Sequence, residues 1–126
     1  MANSVTTNIG RQKLASARAG EITLPSITKM AFGDEGVTLD GPPIPPVGTD
    51  IALNHELLRK DITEHSFPIA TTCRYSCRLL KPDLADQKIN EIALIDSDGD
   101  IVAIKTFRTK EKDGDAEMVF EIDDEF

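Results

Sequence analysis

The sequence predicts an α+β chain that is mostly β: a small antiparallel sheet or sandwich of about six strands, with one N-terminal helix and a proline-rich loop. Three observations carry this expectation. Residues 69–79 alternate, with Ile69, Thr71, Cys73, Tyr75, Cys77 and Leu79 on one side and Ala70, Thr72, Arg74, Ser76 and Arg78 on the other. That two-residue period belongs to a half-buried antiparallel strand. Two aliphatic runs, residues 91–95 and 101–107, flank Asp96-Ser97-Asp98-Gly99-Asp100. Asp-Gly between apolar strands signals a hairpin, because glycine accepts positive φ in the turn. Residues 37–49 carry Gly41, Pro42, Pro43, Pro45, Pro46 and Gly48, a proline density that blocks helix and sheet ladder alike.

The elements follow in chain order. Residues 1–7 are polar and read as a flexible arm, loose or docked on a neighbour. A helix is expected over residues 8–19, with Asn8 as N-cap and Gly20 as the stop. It puts Gly10, Leu14 and Ala17 on one small face that suits close packing on a sheet. Ile22, Leu24, Met30 and Phe32 share one side of a strand over 22–32, which the turn at 33–36 ends. The 37–49 loop is either a connector or a strap across a neighbouring subunit. Residues 50–55 suit one helical turn capped by Thr49 or Asp50. A strand over 56–67 leads to Pro68, which suits the turn before the 69–79 strand. A polar loop at 81–90 precedes the hairpin. A second turn at 110–114 precedes a last strand with Met118, Phe120 and Ile122 on one face, and residues 123–126 form an acidic tail. The whole reads as one domain, 1–126, without an internal repeat.

Charge excludes several function classes. The net charge is −8, which repels phosphate backbones and anionic membranes, so neither nucleic acid nor a membrane is an expected partner. No apolar run approaches the ~20 residues of a membrane span. The N-terminus lacks a signal peptide's basic and apolar regions, so synthesis and assembly in a cytoplasm are expected. There is no Trp, which disfavours an aromatic platform and with it the alternative of a soluble carbohydrate- or receptor-binding module. Acid concentrates at the end, in Asp115, Glu117, Glu121, Asp123, Asp124 and Glu125. It reads as a solvated tail, or as an acidic peg for a basic socket on a partner.

Residues able to carry chemistry are few. Cys73 and Cys77 on one strand lie roughly 13 Å apart, beyond the ~7 Å reach of a disulfide. They read as small buried hydrophobes, with pairing between subunits as the alternative. Asp96, Asp98 and Asp100 resemble a calcium loop, but the glycine is misplaced and Phe107 stands where the loop's closing glutamate belongs. His55 and His65 each neighbour a glutamate, Glu56 and Glu64, whose side chain on a strand points to the opposite face. Cys73 beside a histidine lacks an activating context. No catalytic, metal or cofactor site is therefore expected, and an enzyme is the least favoured reading.

Three stretches, Glu91–Ala103, Met30–Asp34 and Leu53–Arg59, together resemble the N-terminal attachment domain of phage tail-collar and tail-fibre proteins of contractile-tailed bacteriophages. The hairpin run from Glu91-Ile92-Ala93-Leu94-Ile95-Asp96 through Gly99 to Val102-Ala103 is similar to that family's Glu-Ile-Gly-Leu-aromatic-Asp, Asp-Gly turn and aliphatic-Ala pair. Met30-Ala31-Phe32-Gly33-Asp34 resembles its Met-Ala-x-Gly-Asp element. Leu53-Asn54-His55-Glu56-Leu57-Leu58-Arg59 resembles its Leu-x-x-Glu-x-x-Arg. Ala93 replaces the family's glycine, Ile89 and Ile95 stand at aromatic positions, and the loop after the hairpin is shorter. Such domains usually head a long fibre, whereas this sequence stops at Phe126, which favours an adapter over a receptor-binding tip.

The resemblance implies a virion structural protein that docks on a baseplate wedge or tail tube end, often as a trimer; the expected partners are other tail proteins, baseplate wedge and tail fibre among them, and no cofactor is expected. The residues expected to dock are Pro42, Pro43, Pro45 and Pro46 of the loop, Glu91, Asp96, Asp98, Gly99 and Asp100 of the hairpin, and Asp123, Asp124 and Glu125 of the acidic end. Glu56 and Arg59 belong to the same docking set; they are expected either to pair and order their region or, the slightly favoured reading, to form only a solvated surface pair.

Overall fold

A computed structural model describes residues 3–126. The chain order is β1 (Asn3–Thr6), α1 (Asn8–Arg18), β2 (Ile27–Gly33), β3 (Glu56–Asp61), β4 (Glu64–Ile69), β5 (Thr72–Leu79), β6 (Lys88–Asp96), β7 (Ile101–Glu111) and β8 (Met118–Glu125). All pairings are antiparallel. They build a five-stranded sheet, β1-β7-β6-β2-β3, and a three-stranded sheet, β4-β5-β8. The mostly-β antiparallel fold with one N-terminal helix is thus as the sequence predicts.

The large sheet has two apolar faces. Met30 and Phe32 of β2 join Ile92 and Leu94 of β6 against Cys77, Leu79, Phe120 and Ile122 of the small sheet. Phe32 meets Phe120 edge to face at 5.5 Å between ring centres, which ties the two layers together. The alternate residues Ala31, Ala93, Ile95 and Ile104 pack with Leu53 on the other side. Burial on both faces explains why β6 reads as one continuous apolar run rather than an alternation.

The hairpin strands run longer than expected, and the described residues form eight strands where about six were expected. Residues 3–6 are not a loose arm: Asn3–Thr6 lie opposite Thr106–Ala103, with Val5 packed on the second core. Ladder bonds need no apolar side chains, so polarity there did not oppose a strand. Residues 1 and 2 of that arm lie outside the described residues. The helix N-cap is Thr7, one residue before the expected Asn8. Its hydroxyl accepts from the Gly10 N–H at 3.2 Å and donates to the Ile101 carbonyl at 2.8 Å. Gly10 lets the helix sit on β7: a Cβ there would lie 2.8 Å from the Val102 carbonyl oxygen.

Other expectations need correction. Residues 22–26 are irregular and leave Ile22 and Leu24 exposed. Pro25 offers no N–H to a ladder, so β2 starts after it. Residues 50–55 form no helical turn, because the Asp50 carboxylate accepts from the Val47 N–H upstream instead of capping the residues that follow. The expected strand over 56–67 is two strands in different sheets. The chain crosses between layers where the Ile62 N–H donates to Thr28 of β2 and the Thr63 N–H to Ser76 of β5. Pro68 sits not in a turn but in β4, an edge strand, at a register shift between Ser66 and Ile69, the place a sheet tolerates proline. In β5, Cys73, Cys77 and Leu79 are buried as expected, but so are Thr72 and Ser76. Both cysteines are free.

The proline-rich loop covers its own chain's large sheet. The Ile44 N–H donates to the Gly36 carbonyl, and the Gly48 carbonyl accepts from the Asn8 N–H. The Thr106 hydroxyl donates to the Ile44 carbonyl at 2.8 Å. Leu53, just past the loop, supplies its buried anchor.

Candidate functional site

The three stretches singled out in the sequence meet at Glu91. This residue of β6 lies opposite Gly33 of β2 and is 2% exposed. Its carboxylate accepts from the backbone N–H of Asn54 at 2.9 Å, His55 at 2.9 Å and Glu35 at 3.2 Å. Asn90 beside it accepts from the Gly36 N–H at 2.7 Å and donates to the Asp34 carbonyl and the Thr109 hydroxyl. Glu91 therefore ties the turn after β2 to the segment entering β3, and it is an interior anchor rather than an exposed docking residue. The sequence signal that could have revealed this is an acid inside an otherwise apolar buried strand, since a buried charge requires donors.

Gly33 is part of the same knot, because a Cβ on it would lie 2.5 Å from both a Glu91 carboxylate oxygen and the His55 carbonyl. His55 partners Asp34, not Glu56, with Nδ1 2.6 Å from Oδ1. The hydrogen bond and charge of Asp34 hold His55 above its ordinary pKa. Glu56 and Arg59 do pair, through contacts of 2.8 and 3.1 Å. The register shift at Gly33 skips Leu57 in β3 and so brings residues three apart to one side. As an exposed pair it contributes about 1 kcal/mol or less. His65 stands apart from Glu64 and packs edge-on against Phe67.

The hairpin turn holds a second charged cluster. Asp96, 3% exposed, accepts from the N–H groups of Asp98 and Asp100 through one oxygen. Gly99 takes φ 87° to close the turn. Asp96, Asp98 and Asp100 bring their carboxylates close enough together to hold a cation, and the chain's own Lys13 supplies one. Its ammonium lies 2.6 Å from Asp96, 3.1 Å from Asp98 and 2.7 Å from Asp100. Partner choice across the fold hid this from the sequence, although Lys13 follows Gly10 by three on the sheet-facing side of α1.

Desolvation pulls the Lys13 pKa down, but Asp100, Asp96 and Asp98 outweigh it and hold it above the ordinary lysine value. That stabilisation is full below the unfolded lysine pKa and is lost as pH rises through the folded one. Lys13→Met is expected to cost about 1–2 kcal/mol at neutral pH, discounted for the exposed Asp98 and Asp100. Urea unfolding at neutral pH and again above the lysine range should show the gap to the unaltered chain narrowing.

The acidic end is not a free tail. Residues 123–125 belong to β8 and pair with Arg74, Cys73 and Thr72 of β5. Arg74 grips Asp123 at 2.8 and 3.1 Å and holds its carboxyl below the usual range. Burial pushes Asp124 up, and Glu125 is exposed. Of the loop prolines, Pro42 and Pro45 are exposed and Pro43 and Pro46 half-buried. Of the expected docking residues, Pro45, Pro46 and Glu91 border one groove, and Asp96 and Asp124 border another.

The fold is a two-layer β module whose fully buried side-chain nitrogen and oxygen atoms all have hydrogen-bond partners among the described residues, and whose clusters at Glu91 and Lys13 hold its own turns. The family model for the phage tail-collar fibre protein, N-terminal, matches residues 1–120, and the chain belongs to that family. Comparison with curated proteins and with solved structures gave no match. Membership makes it a structural protein of the phage tail, part of the virion, that works with other tail proteins, and it points to a non-enzymatic role.

Proposed function

We propose that the protein is an attachment module, a tail-fibre or baseplate adapter that joins a fibre or neighbouring tail component to the baseplate. It works by non-covalent contact and assembles as a homo-oligomer, with a trimer favoured. One observation supports this above the rest. All six residues of β4 are exposed, although a strand in a sandwich normally buries one face. Phe67 and Ile69 project from it at 63% and 61% exposure, so β4 stands out as a finger whose apolar side chains have no cover within the described residues. A neighbouring subunit would supply that cover. Pro68 and the register shift beside it disfavour simple edge-to-edge pairing, which fits packing through side chains. The exposed Pro42 and Pro45 and the turn tip at Asp98 and Gly99 offer further contact regions.

The test is a double substitution, Phe67→Ser with Ile69→Ser. The unaltered chain is expected to give a trimer in light scattering; the variant is expected to keep its thermal stability, because both side chains are already exposed, while losing that trimer and its incorporation into tails. An unaltered chain that stays monomeric at every concentration, together with a variant that enters tails normally, would contradict the reading.

A further inference from the structure

The two sheets leave a seam open on one side. β1 and β8 are each the last strand of a sheet and carry one unpaired edge. A cleft of about 160 Å³ lies between them, lined by residues 4–6 and 122–125. It adjoins a groove of about 310 Å³ near α1. Leu14, Leu24, Ile27, Tyr75, Val102 and Phe126 give that groove an apolar wall, and Asp124 borders both spaces.

Asp124 is unusual among the acids of this end. Alternation along β8 puts it on the same side as the buried Phe120 and Ile122, so it points toward the space between the sheets. Asp123 has Arg74, whereas Asp124 belongs to none of the ion pairs among the described residues. An inward charge on an edge strand repels an ordinary apolar strand. It accepts a strand that brings the opposite charge to the same place.

We infer that this seam is a docking groove for an extended segment of another tail protein, one that turns apolar side chains into the groove and a lysine or arginine onto Asp124. Backbone N–H and C=O groups on the β1 and β8 edges, apart from the Glu121 carbonyl that Lys105 already holds, would bond the segment's backbone, and the apolar wall and the carboxylate would select its side chains. In an extended segment the inward residues are two apart, so the motif is apolar-x-apolar-x-basic. The identity of the partner as a tail protein rests on the function proposed above; the groove and its selectivity do not.

The experiment titrates the isotope-labelled full chain with acetyl-Leu-Thr-Leu-Thr-Lys-Thr-amide and with its counterpart carrying Glu for Lys, followed by backbone amide shifts. The lysine peptide is expected to bind saturably, shifting amides of residues 3–6 and 118–126. The glutamate peptide should bind at least about tenfold more weakly. Asp124→Asn should weaken the lysine peptide by a similar factor, and Leu24→Ser, at an already exposed position, should weaken both peptides. No binding at millimolar peptide, equal binding of the two peptides, or shifts confined to β3 and β4 would overturn the inference. Shifts at the seam that appear on diluting the chain alone would assign the groove to a second copy and overturn it as well. None of these failures touches the attachment role, which is tested on assembled tails.

Discussion

Glu91→Ala is expected to destabilise the chain by about 3–5 kcal/mol, a large part of the total stability of a domain this size. Three backbone N–H groups converge on that carboxylate. Removing it leaves them without an acceptor and opens a cavity in a strand that is buried on both faces. The loss should be larger than for a surface acid because the carboxylate itself is buried and holds three donors at once. Glu91→Gln is the sharper variant. It keeps the shape and one acceptor oxygen, but turns an NH2 group toward N–H donors, so about 2 kcal/mol should go. Urea unfolding followed by circular dichroism measures both. Amide exchange at Asn54 and His55 should rise before the rest of the sheet opens, since those groups lose their partner first. A Glu91→Ala chain within about 0.5 kcal/mol of the original would show that the knot is not the anchor described above.

Gly33→Ala is expected to cost about 2–3 kcal/mol through crowding alone. The new methyl would lie 2.5 Å from the His55 carbonyl, a backbone atom held in place, and 2.5 Å from the Glu91 carboxylate. β2 and the segment entering β3 would have to part at the point where Glu91 clamps them. Gly99 gives the contrast. Nothing lies within 4 Å of a Cβ there, but its φ is 87°, so Gly99→Ala should cost about 1 kcal/mol from backbone strain only. The pair Gly33→Ala with Glu91→Ala should cost less than the sum of the two, because removing the carboxylate removes one of the two clashes. Full additivity in thermal unfolding would mean that the two sites do not share a contact.

These residues also show what the sequence could and could not convey. The hairpin across Asp96–Asp100 and the β8 face of Phe120 and Ile122 were legible because each depends on local periodicity and turn chemistry. β1 was not, since its pairing with β7 is decided by a distant strand and not by its own polar residues. The break between β3 and β4 was hidden for a related reason: Ile62 and Thr63 look like one continuous strand until each finds a different sheet. Charge roles were the least legible. Lys13 and Asp96 lie far apart in sequence, as do Arg74 and Asp123, so acids that resemble a cation loop or a free tail are spent on partners that only the fold brings close. Glu91 stands in one of the stretches that carry the family resemblance, which put it among the docking residues, whereas the fold buries it. The order of the three motifs was visible in the sequence; their meeting at one carboxylate required the antiparallel register of β2 with β6.

The most direct test of the account is a density map of the intact tail by electron cryomicroscopy. It should show this chain in the tail, seated where a fibre meets the baseplate, with Phe67 and Ile69 of β4 covered by a neighbouring subunit. A map that lacks the chain, or that shows it with β4 open to solvent and no subunit against it, would contradict the assignment of this fold to attachment.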